Sequence, residues 1–231
     1  MAVYALTLYA VVPVKNLGVS KLRLSAVFTP QERKQLTLAM LEDVLSALKA
    51  SVVDKILVIG EDPQVQQTAE ECGTAYLSTT KGGLNPAIED AVDWCLQHGA
   101  GSVLVLPADI PFVTAKDINR IIELSTGNCA IVLSPSCNWG TNALLQHPPK
   151  LIPACFGPQS FLAHIREALG RGISVRLHFS TELATDIDSA EDLRKMFEVD
   201  TATESRQVLE QIIRDSSKAQ DFFATKIGVS K

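Results

Sequence analysis

Val103-Leu104-Val105-Leu106-Pro107-Ala108-Asp109-Ile110-Pro111 is an apolar run that ends on a carboxylate held between two prolines. A strand without alternating polar residues is covered on both faces, as in a parallel sheet flanked by helices. The spacing predicts that strand over residues 102–107, with Asp109 just past its carboxyl end. On either side, short apolar runs alternate with longer amphipathic ones, the pattern of βαβ units. Further strands are expected over 6–14, 55–59, 75–77 and 130–133. A helix should start at Thr29, which has Pro30 at the first helical position and Glu32 as capping-box partner. Others should open at Asn85-Pro86 and at Thr114.

Beyond Asn138 the rhythm changes. Residues 141–146 read as an edge or antiparallel strand, 159–169 as a helix, 173–179 and 183–187 as strands, and 189–197 as a helix. An amphipathic helix over 203–213 and a polar tail close the chain. The reading is a single α/β domain over 1–200 with a mainly parallel central sheet flanked by helices and an antiparallel late strand. Residues 201–231 should pack on that domain or on a partner.

The 231 residues are 46% hydrophobic and 20% charged, enough to bury a sizeable core and unlike a disordered chain. Lys and Arg number 21 against 26 Asp and Glu, a net charge of −5, which argues against nucleic acid as partner. Five cysteines, widely spaced and without a C-x-x-C pair, imply reduced thiols and a cytoplasmic protein. The apolar run over 2–14 is too short to span a membrane, which takes about 18–20 residues. Lys15 follows that run, the wrong order for a secretory signal.

Charge singles out the first loop. No Asp or Glu precedes Glu32, yet Lys15, Lys21 and Arg23 cluster just after the first strand. Ligands in open α/β sheets bind outside the carboxyl ends of strands, and three cations there suit a polyphosphate. Neither G-x-x-x-x-G-K-[ST] nor G-x-G-x-x-G is present, so neither a P-loop ATPase nor a Rossmann dehydrogenase is indicated. Asp109 is placed either as a Mg²⁺ ligand or as a turn residue bonded to local amides. In Asp186-Ile187-Asp188-Ser189-Ala190-Glu191-Asp192, alternation puts Asp186 and Asp188 on one face of the expected strand. Ser189 and Asp192 are explained as a helix cap, which leaves Asp188 without a structural role. His98, His147, His164 and His178 have no metal-ligand spacing.

Taken in order, several motifs resemble the 2-phospho-L-lactate guanylyltransferases of deazaflavin coenzyme F-420 biosynthesis. They are Val12-Pro13-Val14-Lys15 with Lys21-Leu22-Arg23, Gly83-Leu84-Asn85, Pro107-Ala108-Asp109, Gly140-Thr141-Asn142-Ala143, Phe156-Gly157 through Ser160, and the 186–192 stretch. The resemblance runs from about Val12 to Leu193, departs at Ala190 where proline is usual, and leaves out the tail after Asp200. It implies a GT-A-like, molybdopterin-nucleotidyltransferase-type fold and transfer of GMP from GTP to 2-phospho-L-lactate. Phosphoenolpyruvate or another phosphorylated acceptor is the alternative, as is a nucleotide-binding protein without turnover. It further implies that Lys15, Lys21 and Arg23 bind the GTP phosphates and that Gly83 and Asn85 hold base or ribose. Asp109 and Asp188 would hold Mg²⁺. Thr141, Asn142, Gly157 and Ser160 would hold the acceptor in a homodimeric enzyme, without membrane or nucleic acid.

Overall fold

The computed structural model describes residues 7–18, 20–79, 82–127, 130–199 and 202–226. The expected strand start at Leu6, Cys129 and the tail beyond 226 lie outside them. Seven strands are described: β1 (Thr7–Pro13), β2 (Lys55–Gly60), β3 (Ala75–Ser78), β4 (Ala100–Val105), β5 (Ala130–Pro135), β6 (Thr141–His147) and β7 (Val175–Leu177). They form one sheet in the order β3-β2-β1-β4-β6-β5-β7. β6 pairs antiparallel with both β4 and β5, and the other pairings are parallel. The chain passes from β1 outward to β2 and β3, then returns to lay β4 on the other side of β1. Strand order therefore reverses between β1 and β4, and a crevice opens there at their carboxyl ends.

The two-residue period of β1 divides the core. Leu8, Ala10 and Val12 meet Leu41, Val44, Leu45 and Leu48 of α1 (Pro30–Lys49) on one face. Tyr9 and Val11 meet Ile88, Ala91, Val92 and Cys95 of α3 (Leu84–Gln97) on the other. Capping follows expectation at α1, where Thr29 Oγ1 accepts from Glu32 N and the Glu32 carboxylate accepts from Thr29 N. A second short helix, α2 (Pro63–Glu71), joins β2 to β3, and α4 (Ala115–Leu124) starts at Thr114 with the same reciprocal cap through Asp117.

The late region agrees with the sequence reading in one place and departs from it in two. The strand over 141–146 is antiparallel, as expected, and it is internal, buried from Thr141 to Gln146 because β5 and β7 extend the sheet beyond it. The strand expected over 183–187 does not form. Ser180 caps a helical turn, α6 (Thr181–Ala184), and 185–188 continue as irregular chain docked beside the loop after β4. The polar tail is in part a helix. Following α5 (Ser160–Gly170), α7 (Asp192–Glu198) and α8 (Glu204–Asp215) comes α9 (Ser217–Lys226), which places Ala219 and Phe223 in the core.

That last core joins Leu209, Ile212 and Phe223 to Leu24, Phe28, Leu36 and Met40. Asp43 of α1 also accepts from the Glu204 and Ser205 amides at 2.7 and 3.0 Å, capping α8 from a neighbouring helix. The C-terminal pair thus buttresses the loop after β1 from behind. Leu209→Ala is expected to lower unfolding free energy in urea by about 2–5 kcal/mol. A loss below about 0.5 kcal/mol, the scale of surface substitutions, would show that α8 lies outside the cooperative unit.

Candidate active site

The loop leaving β1 is pinned from below. Arg33 of α1, buried, donates through Nη1 to the Ser20 carbonyl at 2.6 Å, and Ser20 Oγ donates to the Leu17 carbonyl at 3.1 Å. Lys21 follows in the left-handed region, at φ 52°, a conformation that costs a residue with a Cβ about 1–2 kcal/mol. Its ammonium lies 2.8 Å from Asp109 Oδ2 and 2.7 Å from Asp188 Oδ1, and only 5% of the side chain is exposed.

The two carboxylates come 79 positions apart in sequence and are joined by one backbone bond. Ile187 N donates to the Asp109 carbonyl at 2.9 Å while the Ile187 side chain is fully buried. Asp186 and Asp188, on either side of that anchor, both line the crevice. They share a side as expected from alternation, although no strand carries them. The Asp192 carboxylate accepts from the Asp188 and Ser189 amides and from Ser189 Oγ, so the expected Ser189–Asp192 pairing forms, although the regular helix starts only at Asp192 with Glu191 in the cap position, and Asp188 is left lining the crevice.

Burial works against the Lys21 charge, yet Asp109 and Asp188 overcome it and push its pKa above the ordinary lysine value. Burial likewise opposes ionisation of Asp188, but Lys21, then Lys15 and Arg23, hold its carboxyl below the usual range. Asp186 moves the other way, raised by burial and by Asp109. Lys15 and Arg23 are exposed and make no hydrogen bond or ion pair among the described residues.

These groups line a cavity of about 600 Å³ at the β1–β4 reversal point. Every residue assigned from sequence lines it except Gly83 and Asn85. Gly83 lines an adjoining cleft of about 170 Å³, which shares Lys15 and Leu84 with the larger one and is bounded by Gly60, Glu61 and Thr79. Asn85 lines neither. Its amide bonds the Phe156 backbone at both ends, accepting from Phe156 N at 2.7 Å and donating to Phe156 O at 3.0 Å, and so it holds the opposite wall in place.

That wall carries neutral groups. Thr141 Oγ1 lies 3.0 Å from both Ser160 Oγ and His164 Nδ1, all three residues buried. Asn142 Nδ2 donates to the Leu183 carbonyl at 2.9 Å, tying β6 to the segment that carries Asp186. Gly157, at φ 141°, adopts a backbone angle that L side chains rarely reach, with open space where a Cβ would stand. At the start of α5, Ser160 N donates to the Gly157 carbonyl and Phe161 N to the Trp139 carbonyl, so these two amides are taken while the Thr141 and Ser160 hydroxyls line the crevice. Arg33 and His164 were not singled out, because their roles depend on contacts between distant segments.

The convergence of Asp109 and Asp188 on one cationic atom fits a divalent cation that takes one or two carboxylates and completes its shell with phosphate oxygens. Among the described residues no group of three or more His, Cys, Asp or Glu is spaced to hold a metal by itself.

Over residues 8–226 the chain matches the family described as guanylyl transferase CofC like, a match that runs past Leu193 and takes in α8 and α9. It is 41% identical over 192 residues to a phosphoenolpyruvate guanylyltransferase of Rubrobacter xylanophilus, covering 83% of this chain and 94% of that protein. It is 35% identical over 204 residues to a 2-phospho-L-lactate guanylyltransferase of Methanothermobacter thermautotrophicus, covering 88% and 90%. In fold it is similar to a putative nucleotide-diphospho-sugar transferase from Desulfovibrio desulfuricans, with a TM-score of 0.75, 13% identity and coverage of 93% and 97%.

Burial drives the His164 pKa down to about 4, against Glu167 and the Ser160 backbone, which favour the charged ring. The unfolded chain therefore binds a proton between the ordinary value of 6.5 and about 4 that the folded protein refuses. The stability this contributes is complete above pH 6.5 and is lost as pH falls toward 4, by up to about 3 kcal/mol. Urea unfolding from pH 7 to 4 should show this slope reduced in His164→Asn. Equal slopes in the two proteins would contradict a buried neutral ring.

Proposed function

The chain belongs to the guanylyl transferase CofC-like family, and we propose that it transfers GMP from GTP to a small acid bearing a phosphate beside its carboxylate, with release of pyrophosphate. Phosphoenolpyruvate and 2-phospho-L-lactate are the acceptors of this class carried in the relatives' names, and the higher identity to the former favours phosphoenolpyruvate. The observation that carries the reading is the single crevice with Lys15, Lys21, Arg23, Asp109 and Asp188 on one side and the Thr141–Ser160 hydroxyls with Gly157 on the other.

The smaller cleft beside Gly83 suits the nucleoside, which leaves the triphosphate over Lys15, Lys21 and Arg23. The acceptor then lies against Thr141, Gly157 and Ser160. Its phosphate, with a second pKa of about 6, is already ionised at neutral pH. One of its oxygens attacks the α-phosphorus in line, the bond to the bridging oxygen breaks, and pyrophosphate leaves with the electron pair. No general base is required, consistent with a cavity lined by no histidine.

Asp109 and Asp188 would hold Mg²⁺, which would supply positive charge to offset that of the phosphates. Lys21, which lines the same crevice, would be free to turn from these carboxylates to phosphate oxygens. Lys15 and Arg23, which make no hydrogen bond or ion pair among the described residues, offset the repulsion between the two anions and stabilise charge in the transition state.

Pyrophosphate release measured over a matrix of nucleotides and acceptors, with the coupled product read by mass spectrometry, tests the assignment. Turnover is expected with GTP and at least one of the two named acceptors. Thermal stabilisation by GTP with no pyrophosphate from any acceptor would instead support a non-catalytic nucleotide-binding protein. Asp109→Asn and Lys21→Ala are each expected to cut turnover by at least about 10²-fold in folded protein. Undiminished turnover in either would remove that residue from the chemistry.

A further inference from the structure

We propose that His164 is a positioning residue: its neutral ring, protonated on Nδ1, fixes the Thr141 hydroxyl as a hydrogen-bond donor into the acceptor half of the crevice. The inference rests on the reading that this wall receives the acceptor.

The polarity follows from one backbone contact. Cys155 N donates to His164 Nε2 at 3.0 Å, and an amide N–H has no other role, so Nε2 is the unprotonated nitrogen. A neutral imidazole then carries its proton on Nδ1. Nδ1 therefore faces Thr141 Oγ1, 3.0 Å away, as a donor shared with the Ser160 backbone, and cannot accept the Thr141 proton. Ser160 Oγ donates to the same oxygen at 3.0 Å. A hydroxyl has two lone pairs and one proton. Neither neighbour accepts from Thr141, its proton has no acceptor among the described residues, and the residue lines the cavity. The remaining direction for that O–H is toward whatever occupies the wall.

Complete burial of His164 keeps the ring neutral at physiological pH, with its pKa at about 4, so the Nδ1–H tautomer persists under working conditions. The Phe156 ring meets the imidazole edge-on at 4.9 Å and limits its rotation. Asn85, bonded to the Phe156 backbone, holds that ring in turn. An acceptor anion therefore meets a donor whose orientation was set before it arrived. Without Nδ1–H, the hydroxyl can turn its proton to other partners and offer the anion a lone pair.

The test combines a spectroscopic readout on the unaltered protein with a double-mutant cycle. Nitrogen-15 NMR of imidazole-labelled protein at neutral pH should find a protonated Nδ1 and a bare Nε2 for His164. An Nε2–H tautomer or a charged ring would overturn the proposal. With GTP and phosphoenolpyruvate or 2-phospholactate, Thr141→Val should raise the acceptor KM by about tenfold or more, the scale of a hydrogen bond to a charged group. His164→Met should raise the same KM and leave the GTP KM within about twofold, while His164→Asn, which keeps a donor at the δ position, should restore most of it. In the Thr141→Val background, His164→Met should add nothing further to the acceptor KM. Independent, multiplying effects would overturn the role of His164 and leave the acceptor site intact. No change in acceptor KM with Thr141→Val would instead remove the acceptor from this wall, and the proposal with it.

Discussion

The contact on which the crevice depends is the Lys21 ammonium between the Asp109 and Asp188 carboxylates. A charge 5% exposed is costly to bury unless opposite charge lies beside it, and here two carboxylates supply it. The result is a junction of three segments: the loop after β1, the loop after β4, and the irregular chain after α6. Arg33 under the Ser20 carbonyl holds the first of these segments, and the Ile187 amide on the Asp109 carbonyl joins the other two, so their geometry does not rest on the ion pairs alone. On the proposed function, in which these carboxylates would turn to a metal ion, the scaffold around them can stay in place.

Much of the sheet and its first functional loop were legible in residue pattern. β1, β2 and β4 announce themselves as apolar runs, Thr29 and Thr114 as helix caps, and the acid-free stretch before Glu32 as a cationic loop. These are local signals with local causes. What was not legible depends on distant partners. The 183–187 stretch has strand-like composition, but Ser180 caps a helical turn there, and the Ile187 amide pairs with the loop after β4 instead of with a strand. The 141–146 stretch carries too few clues to tell an edge from an interior strand, since that depends on β5 and β7 closing beyond it.

The site residues divide in the same way. Asp109 and Lys21 stand out because charge is rare at the end of a buried strand or in a loop of that composition. Asn85 looks equally apt as a ligand, yet both ends of its amide are taken by the Phe156 backbone. His164 looks like core and is core. Its significance comes from the direction of a hydrogen bond to Cys155 N, which no spacing rule contains.

The two walls of the crevice present different chemistry, and on the proposed function the difference has a physical reason. The nucleotide side uses full charges, which suit a triphosphate whose charge must be offset as the leaving group departs. The opposite side uses hydroxyls and backbone, with its one imidazole kept neutral by burial. A cation on that side would bind the acceptor phosphate more tightly, but it would also stabilise the attacking oxygen in the ground state. Binding of that kind lowers KM without raising the rate of the chemical step. Neutral donors of fixed polarity locate the acceptor and leave its charge available for attack. The placement of Lys15, Lys21 and Arg23 on the nucleotide side, with none on the hydroxyl wall, therefore belongs to the same design as the neutrality of His164.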